Sequence, residues 1–303
     1  MSQAIISPFD RSVPSPSAVL ELLKPVTWFA PMWAFMCGVV SSGVSLEGRW
    51  HLLVGGVFLA GPLLCATSQA VNDWYDRHVD AINQPERPIP SGRIPGTWGF
   101  RIAVIWSVLS IAFSLLLGPW VAGAAVGGLV LAWAYSAPPL RLKMSGWWGP
   151  AAVALCYEGF AWFTGAAVMT GELPSGQIIL LAALYSVGTH GIMTLNDFKA
   201  VEGDRQMGVR SLPATIGVEL AASVACIVMV VPQVVVVGAL IAWGHPWFAA
   251  GIAASIVVQI GLMSWLVRNP VKNTPVYAAS GVSLFVLGML AAALAVGPFA
   301  GGT

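Results

Sequence analysis

The amino-acid sequence predicts an all-α, polytopic membrane protein with nine transmembrane helices. Hydrophobic residues make up 57% of the 303 residues, and the mean hydropathy is +0.79, whereas soluble domains are about 45–50% apolar. Charged residues are only 9% of the chain. Several apolar runs reach the roughly 20 residues that a helix needs to cross the hydrocarbon core of a bilayer. The composition therefore excludes an ordinary soluble domain and makes the lipid bilayer a partner of the chain.

Nine apolar runs in succession define the predicted spans. The tight joins at Gly118-Pro119 and between Trp243 and Trp247 leave totals of eight or ten spans open. Tryptophan recurs near the ends of the runs, as expected for a residue that anchors helices at the membrane interface. The predicted spans are residues 26–46, 51–71, 98–118, 119–135, 149–170, 177–194, 218–242, 247–267 and 276–297.

The distribution of positive charge predicts the orientation of the chain. Lysine and arginine near membrane segments are concentrated on the cytoplasmic side, and nine spans with a cytoplasmic N-terminus place every lysine and arginine except Arg49 on that side. Residues 1–17, rich in serine and proline, are then expected to form a mobile cytoplasmic tail without a signal peptide. The net charge of +1 gives no indication of nucleic-acid binding.

Charge is concentrated in residues 72–97, the first predicted aspartate-rich loop. A helical spacing of about 100° per residue puts four oxygen-bearing side chains within roughly 100° of one another. Such a stripe repels itself unless cations hold it, and hard oxygen clusters of this kind suit Mg²⁺, which keeps positions for water and substrate phosphate. The sequence therefore predicts a magnesium site formed by Asn72, Asp73, Asp76 and Asp80.

The pattern returns in residues 195–213, the second predicted aspartate-rich loop. Asn196, Asp197 and Asp204 repeat angular positions of the first stripe, and an arginine follows each stripe at similar spacing. Ala200 stands where the first stripe has an aspartate, so the second stripe is the poorer metal site. Two half-sites are predicted, one from each half of an internally duplicated chain.

Basic residues accompany the stripes and predict a site for a diphosphate. Arg87 follows the first stripe, and the segment YSAPPLRLK places Tyr135, Arg141 and Lys143 on the same side of the membrane. Mg²⁺ bridges carboxylate and phosphate oxygens, while arginine and lysine neutralise the remaining charge. Arg141 and Lys143 also fit a second interpretation, as topology determinants. A diphosphate held at the mouth of a helical bundle suggests an attached lipid tail that runs between the helices.

Several residues inside the predicted spans have both a functional and a structural interpretation. An acid within a membrane is costly and functional by default, so Glu158 is either a pocket residue or a hydrogen-bonding partner of a neighbouring helix. His190 either lines the site or packs near the interface. Gly123 and Gly127 form a GxxxG step that predicts close helix packing. The cysteines are interpreted as inert core thiols: Cys37, Cys65, Cys156 and Cys226.

These motifs resemble the UbiA superfamily of intramembrane prenyltransferases over almost the whole chain. Four strings are similar to the chlorophyll synthase branch: KPVTW at 24–28, NDWYD with DAIN and RPIPSG between 72 and 92, YSAPPLRLK at 135–143, and HGIMTLNDFKAVEGDR at 190–205. The version RHVDAINQPERPIPSGRI looks more like the bacteriochlorophyll synthases of photosynthetic bacteria than the plant enzymes. The resemblance implies a UbiA-type bundle with two aspartate-rich cytoplasmic loops.

The resemblance also implies a reaction. A geranylgeranyl or phytyl group passes from its diphosphate to the propionate carboxylate of bacteriochlorophyllide, and diphosphate is released. The implied location is the inner, cytoplasmic or intracytoplasmic membrane of a photosynthetic bacterium. A carboxylate acceptor with a pKa near 4.3, that of glutamate, is already ionised at neutral pH, so that the absence of an obvious general base does not argue against this reaction.

The site residues that the resemblance implies fall into two sets. The metal motif N-x-x-x-D-x-x-x-D carries over onto Asn72, Asp76 and Asp80, whereas the motif D-x-x-x-D carries over only onto Asp204, with Asp197 as the substitute candidate. Asp76, Asp80 and Asp204 are the implied catalytic acids. The residues implied to bind diphosphate are Arg87, Arg141, Lys143, Lys199 and Arg205.

Three other functions remain open at this stage. A prenyltransferase of the same superfamily that acts on a quinone, haem or chlorophyll precursor has the same motifs. A membrane transporter also has duplicated halves, although transporter sites lie near the bilayer midplane and these acids lie at the ends of spans. A role in delivering pigment to protein assembly partners is compatible with either activity.

Overall fold

The structure, a computed structural model, describes residues 13–297 and is predominantly helical over that range, without a β-strand. Most of the tail predicted at residues 1–17 lies outside the described residues, and its last part differs from the prediction because Ser15 caps a helix that begins at Pro16. The helices are α1 (Pro16–Leu23), α2 (Phe29–Ser41), α3 (Trp50–Asn83), α4 (Trp98–Leu117), α5 (Pro119–Ser136), α6 (Trp148–Thr170), α7 (Gly176–Asn196), α8 (Val201–Met207), α9 (Leu212–Ile216), α10 (Val218–Ala242), α11 (Pro246–Leu266) and α12 (Pro270–Val296).

The predicted class of fold, an all-α membrane protein, is confirmed. Over residues 13–297, eight helices are long and apolar enough to cross a bilayer. A bent pair made of Pro16–Thr27 and Phe29–Ser41, with an angle of 55° between its parts, raises the total to nine if it counts as one span. The tight join before α5 separates two helices, because Gly118 has a φ of +121° that ends α4 and Pro119 then suits the first turn of α5.

The first acidic segment differs from the predicted loop. Helix α3 continues through the stripe as far as Asn83, and only the residues after it form turns. At 1.5 Å per residue the 34 residues of Trp50–Asn83 extend over about 50 Å, whereas the hydrocarbon core is about 30 Å thick. The last turns of α3 therefore reach beyond the core, where a charged stripe is tolerated. The second segment is also partly helical, with a 3₁₀ turn at Asp197–Lys199 followed by α8 and α9.

Two of the long helices contain a π-helical turn. In α3 the turn spans Leu59–Cys65 and includes Pro62. In α6 it spans Leu155–Phe160. Turns of this kind widen the helix locally and are frequently found at functional sites.

Glycines allow a close crossing of helices at positions that were not predicted. A Cβ added at Gly38 of α2 would lie 2.0 Å from the carbonyl oxygen of Trp162, and one added at Gly165 of α6 would lie 2.0 Å from that of Phe35. The expectation of close packing at Gly123 is wrong, because this glycine is exposed and an added Cβ meets nothing within 4 Å. At Gly127 the expectation holds, because an added Cβ would lie 3.0 Å from the ring of Phe160 on α6. The crossing of α2 and α6 depends on Gly38 and Gly165.

Gly38→Ala is expected to lower the free energy of unfolding by about 1–3 kcal/mol, because the new methyl group collides with the backbone of α6. The matched control is Gly123→Ala, which is expected to keep the stability or raise it by up to about 1 kcal/mol, since alanine is the better helix former. Thermal unfolding of the purified proteins in detergent measures both. A Gly38→Ala protein as stable as wild type would contradict the close crossing.

Candidate active site

Two buried acids of α3 are paired with cations from other parts of the chain. The Lys24 ammonium, at the end of α1, lies 2.6 Å from Asp73 Oδ1. The Arg87 guanidinium, from the turns after α3, lies 2.8 Å from Asp80 Oδ2 and 3.4 Å from Asp73 Oδ1. Carboxylates that are removed from water need such partners. The pairs therefore hold the chain before α2 and the chain after α3 against the stripe.

The remaining acid of the stripe, Asp76, contacts the loop between α5 and α6. Its Oδ1 pairs with the Lys143 ammonium, and its Oδ2 accepts a hydrogen bond of 3.0 Å from the Asn72 amide. The same amide donates to Ser136 Oγ at 3.4 Å. Burial lowers the pKa of the Lys143 amine, whereas the hydrogen bond to Asp76 raises it. Lys143 thus relies on Asp76 to remain protonated in its partly buried position.

Arg141, two residues before Lys143, is differently placed. Its backbone is left-handed, with a φ of +41°. Its Nε is buried and has no hydrogen-bond partner among the described residues. A buried guanidinium nitrogen without a partner is a donor open to an anion.

The second acidic segment is arranged less tightly than the first. Asp204 Oδ2 accepts a hydrogen bond of 2.6 Å from Ser211 Oγ. Asp197, half-buried at the end of α7, is repelled by Asp204 and attracted by Lys199. Glu202 is exposed and bonded to the amide of Gln206 at 3.0 Å, and so points to solvent. Of the predicted diphosphate ligands in this segment, Lys199 and Arg205 are both exposed.

Backbone hydrogen bonds join the loop that contains Lys143 to the second acidic segment. The amide of Gly146 donates to the carbonyl oxygen of Arg210 at 2.8 Å, and the amide of Arg210 donates to that of Met144 at 3.0 Å. Ser145 and Arg210 form an isolated parallel β-bridge at this point. The basic loop and the segment that ends at Ser211 are therefore fixed to one another.

One cavity brings the two acidic segments together. Asn72 from the first stripe, Asn196 from the second segment and Tyr135 from the last turn of α5 all line it. The charges of Asp76 and Asp197 both act on the Tyr135 hydroxyl. The two segments therefore converge at the same end of the bundle.

Below this polar end the lining of the cavity is mostly apolar. Its volume is about 510 Å³, which lies within the range of small-molecule sites. Both Asn72 and Leu59 line it, and the helix between them is about 20 Å long at 1.5 Å per residue. The apolar lining includes Leu59, Ala60, Leu64, Leu131 and Phe160. A polar mouth with an apolar chamber suits a ligand with a charged head and a hydrocarbon tail.

Two predicted pocket residues are not part of this lining. Glu158 is buried beside Thr189, and its Oε2 has no hydrogen-bond partner within residues 13–297. It is the preceding residue, Tyr157, that lines the cavity. His190 Nε2 is hydrogen-bonded to the carbonyl oxygen of Trp147 at 3.1 Å, and the two rings lie 5.1 Å apart. The packed interpretation of His190 matches these contacts.

Sequence reasoning missed several residues of the site. Lys24 lies in the string KPVTW, but its pairing with the acidic stripe was not predicted. The available signal was a single cation next to an apolar run. Gln69 and Tyr157 also line the cavity. Gln69 had a readable signal, because a residue three positions before Asn72 lies on the same helical face.

The donors of the first stripe fit a divalent cation. Carboxylate and amide oxygens are the ligands that Mg²⁺ prefers, and Asp73 Oδ2 is buried without a hydrogen-bond partner among the described residues. Among residues 13–297, no group of three or more His, Cys, Asp or Glu side chains is arranged to hold a metal ion. The acids of the stripe are paired with Lys24, Arg87 and Lys143 instead. The fit therefore rests on the chemistry of the donors.

Comparison with known proteins identifies relatives along the whole chain. Residues 27–286 match the UbiA prenyltransferase family. The chain is 56% identical over 291 residues to the bacteriochlorophyll synthase 33 kDa chain of Cereibacter sphaeroides, covering 96% of each. It is 50% identical to the protein of the same name from Rhodobacter capsulatus, covering 99% of each.

A solved structure has the same fold. The UbiA homolog from Archaeoglobus fulgidus bound to GPP and Mg²⁺ matches with a TM-score of 0.70 at 18% identity, over 88% of this chain and 99% of that one. At this identity the likeness establishes the fold alone. That relative binds a divalent cation and a prenyl diphosphate, as its description states.

Mg²⁺ is expected to raise the melting temperature of the wild-type protein, and Asp80→Asn is expected to remove most of that rise. A ligand that binds only the folded state adds about 2.7 kcal/mol of stability at 100 times its Kd, and Asp80 is one of the predicted oxygen donors. Melting with Mg²⁺ or with a chelator, compared within each variant, measures the effect. Glu202→Gln is the control, because this exposed residue points to solvent. Equal rises in Asp80→Asn and wild type would contradict the metal site.

Proposed function

The chain belongs to the UbiA prenyltransferase family, and on this premise we propose that it transfers a geranylgeranyl or phytyl group from its diphosphate to the propionate carboxylate of bacteriochlorophyllide. The products are an esterified bacteriochlorophyll and diphosphate. The observation that supports this most directly is the cavity that Asn72 and Asn196 of the two acidic segments line at its mouth, with a mostly apolar chamber below. The mouth suits the diphosphate, and the chamber suits the prenyl chain.

The choice of acceptor is supported by the relatives. The two bacterial proteins to which the chain is 56% and 50% identical are both bacteriochlorophyll synthase chains. The chain covers nearly all of each, so the likeness extends over the parts that surround both substrates. The acceptor of quinone-forming or haem-forming members of the family is the second candidate, but no contact in the cavity favours it.

The charged residues at the mouth perform the binding and the electrostatic part of the reaction. Asn72, Asp76 and Asp80, with Asp73, form the first metal half-site; Asn196, Asp197 and Asp204 form the second. When bound, Mg²⁺ neutralises charge on the diphosphate oxygens. Charge on the leaving diphosphate is stabilised further by Arg87, Arg141 and Lys143, and Lys199 and Arg205 lie in the segment that borders the second half-site.

The rest of the cavity holds the prenyl chain and excludes water. As the bond between C1 of the chain and the diphosphate oxygen lengthens, positive charge develops on the carbon, and water in the cavity would capture it. The apolar walls of α3, α5 and α6 keep water out. The acceptor carboxylate is already ionised, so its oxygen forms the new bond to C1 without a general base.

The cavity also has an opening toward the bilayer. Val26 and Phe29, at the bend between α1 and α2, line the cavity, although 88% and 62% of their surfaces are exposed. An ester with a long hydrocarbon tail requires such a lateral opening to reach the membrane. These apolar positions thus support a product that remains in the lipid phase.

The enzyme acts in the inner or intracytoplasmic membrane of a photosynthetic bacterium, with its N-terminus in the cytoplasm. The two bacterial relatives are named as bacteriochlorophyll synthase chains, which supports a photosynthetic host. The orientation is predicted from the charges of the loops. The position of the acids at helix ends, rather than at the midplane, supports an enzyme over a transporter. Pigment-protein assembly partners remain a prediction from the function.

The purified protein is expected to esterify bacteriochlorophyllide with geranylgeranyl diphosphate and Mg²⁺, and chromatography of the pigments measures the product. Parallel assays supply chlorophyllide and 4-hydroxybenzoate as acceptors. Product formed only with 4-hydroxybenzoate would reject the proposed acceptor. Uptake of a charged solute into vesicles that is insensitive to Asp76→Asn would favour a transporter.

Asp76→Ala is expected to lower kcat about 100-fold or more, because it removes a charged group that acts on the departing diphosphate. Insertion into the membrane should be unaffected, since Asp76 lies at the end of α3 beyond the apolar run. The same pigment assay and the amount of protein in isolated membranes measure the two effects. A variant with the wild-type rate at low Mg²⁺ would refute the assignment.

A further inference from the structure

Four of the polar side chains that line the cavity below its mouth contact one another. The Tyr157 hydroxyl, from α6, accepts hydrogen bonds from Gln69 Nε2 at 3.1 Å and from Cys65 Sγ at 3.4 Å, both on α3. Thr27 Oγ1, from the turn before α2, lies 3.5 Å from Cys65 Sγ. All four line the cavity. We call these four residues, Thr27, Cys65, Gln69 and Tyr157, the collar. Cys65 is therefore not an isolated core thiol.

Both π-helical turns of the bundle contribute to the collar. Cys65 is the last residue of the π turn in α3, and Tyr157 lies within the π turn in α6. A π turn replaces regular helical hydrogen bonds and is frequently found at functional sites. The meeting of two such turns across one cavity indicates that the position of Tyr157 is specifically built.

The collar lies at the depth of the reacting end of the substrate. Gln69 and Cys65 lie about 5 Å and about 10 Å along α3 from Asn72, at 1.5 Å per residue. Asn72 belongs to the mouth, where the proposed diphosphate binds. The first carbons of the prenyl chain, including its allylic double bond, then occupy the interval that the collar surrounds.

We propose that Tyr157 contacts the allylic end of the prenyl diphosphate and stabilises the positive charge that develops there, with Gln69 and Cys65 as positioning residues. This inference rests on the proposed function and adds a catalytic residue to it. The face of an aromatic ring is electron-rich and attracts a cation, the more so where water is excluded. Tyr157 is partly accessible from the cavity, although it lies within the bundle.

The two hydrogen bonds to the Tyr157 oxygen have a further consequence. In the proposed step, the bond between C1 and the diphosphate oxygen breaks, and its electron pair leaves with the diphosphate. The acceptor carboxylate then supplies the electron pair of the new bond to C1, and no proton is transferred. The Tyr157 oxygen is a competing nucleophile, but Gln69 and Cys65 donate to its lone pairs. The contacts thus occupy the oxygen of a side chain that lines the cavity.

The alternative is that the collar only fastens α3 to α6 and shapes the wall. A wall residue affects how well the donor binds, and its loss appears in the KM for the donor. A group that stabilises developing charge acts in the transition state, and its loss lowers kcat. The ratio of these two effects separates the alternatives.

The experiment compares variants of the full-length protein with saturating geranylgeranyl diphosphate and bacteriochlorophyllide. Tyr157→Leu is expected to lower kcat about 10-fold or more, whereas Tyr157→Phe, which keeps the ring, is expected to stay within about 3-fold of wild type. Phe163→Leu is the matched control: this partly buried aromatic residue lies on the same helix but outside the cavity lining, and its kcat is expected to change less than about 3-fold.

A variant of equal shape keeps the test decisive where Tyr157→Leu fails to fold. Pentafluorophenylalanine at position 157 has the size of phenylalanine but an electron-poor ring face, so kcat is expected to fall about 10-fold relative to Tyr157→Phe. Equal kcat values for these two, or an unchanged kcat in folded Tyr157→Leu, would overturn the inference alone. An inactive wild-type protein with every acceptor would instead remove the proposed function and the inference with it.

Discussion

The pairing of one acidic helical stripe with three cations from separate parts of the chain is the interaction on which the site depends. Asp73, Asp76 and Asp80 share one helix, whereas their partners precede α2, follow α3 and lie between α5 and α6. Partly buried carboxylates need these opposite charges, so the stripe draws three loops to the same mouth. The same cations are the groups that an anionic headgroup requires, and the mouth is therefore assembled before any ligand arrives.

The two acidic segments contribute unequally. The first lies on a continuous helix and each of its acids has a cation. The second is divided into a 3₁₀ turn and two short helices, and its Asp204 is held by a hydroxyl rather than by a cation. Ala200 removes one further oxygen. A metal in the second half-site would therefore have fewer protein donors, and the substrate's own oxygens would have to complete its coordination.

The class of fold could be predicted from the sequence because apolar runs are a local property. The stripe could be predicted because four residues at helical spacing share a face. The sequence also indicated that both segments meet, since the same loop charges place them on one side. The contacts of Lys24 with Asp73 and of Gln69 with Tyr157 join residues 49 and 88 positions apart, and no periodicity encodes such pairs. The extension of α3 through the acidic segment was missed because a dense charge cluster suggested a loop. Gly38 and Gly165 were missed because a glycine's partner lies on another helix.

Backbone hydrogen bonds of Arg210 with Met144 and Gly146 fix the basic loop to the second acidic segment. A side chain at Gly146 would place its first carbon 2.4 Å from the amide nitrogen of Leu212. Residues larger than glycine at this position would therefore disturb the contact between the two segments. Lys143 and the chain that holds Asp204 are consequently kept in a fixed spatial relation. Both segments are already ordered by these hydrogen bonds in the folded protein, so their conformational entropy is lost on folding. Substrate binding therefore does not have to order them again.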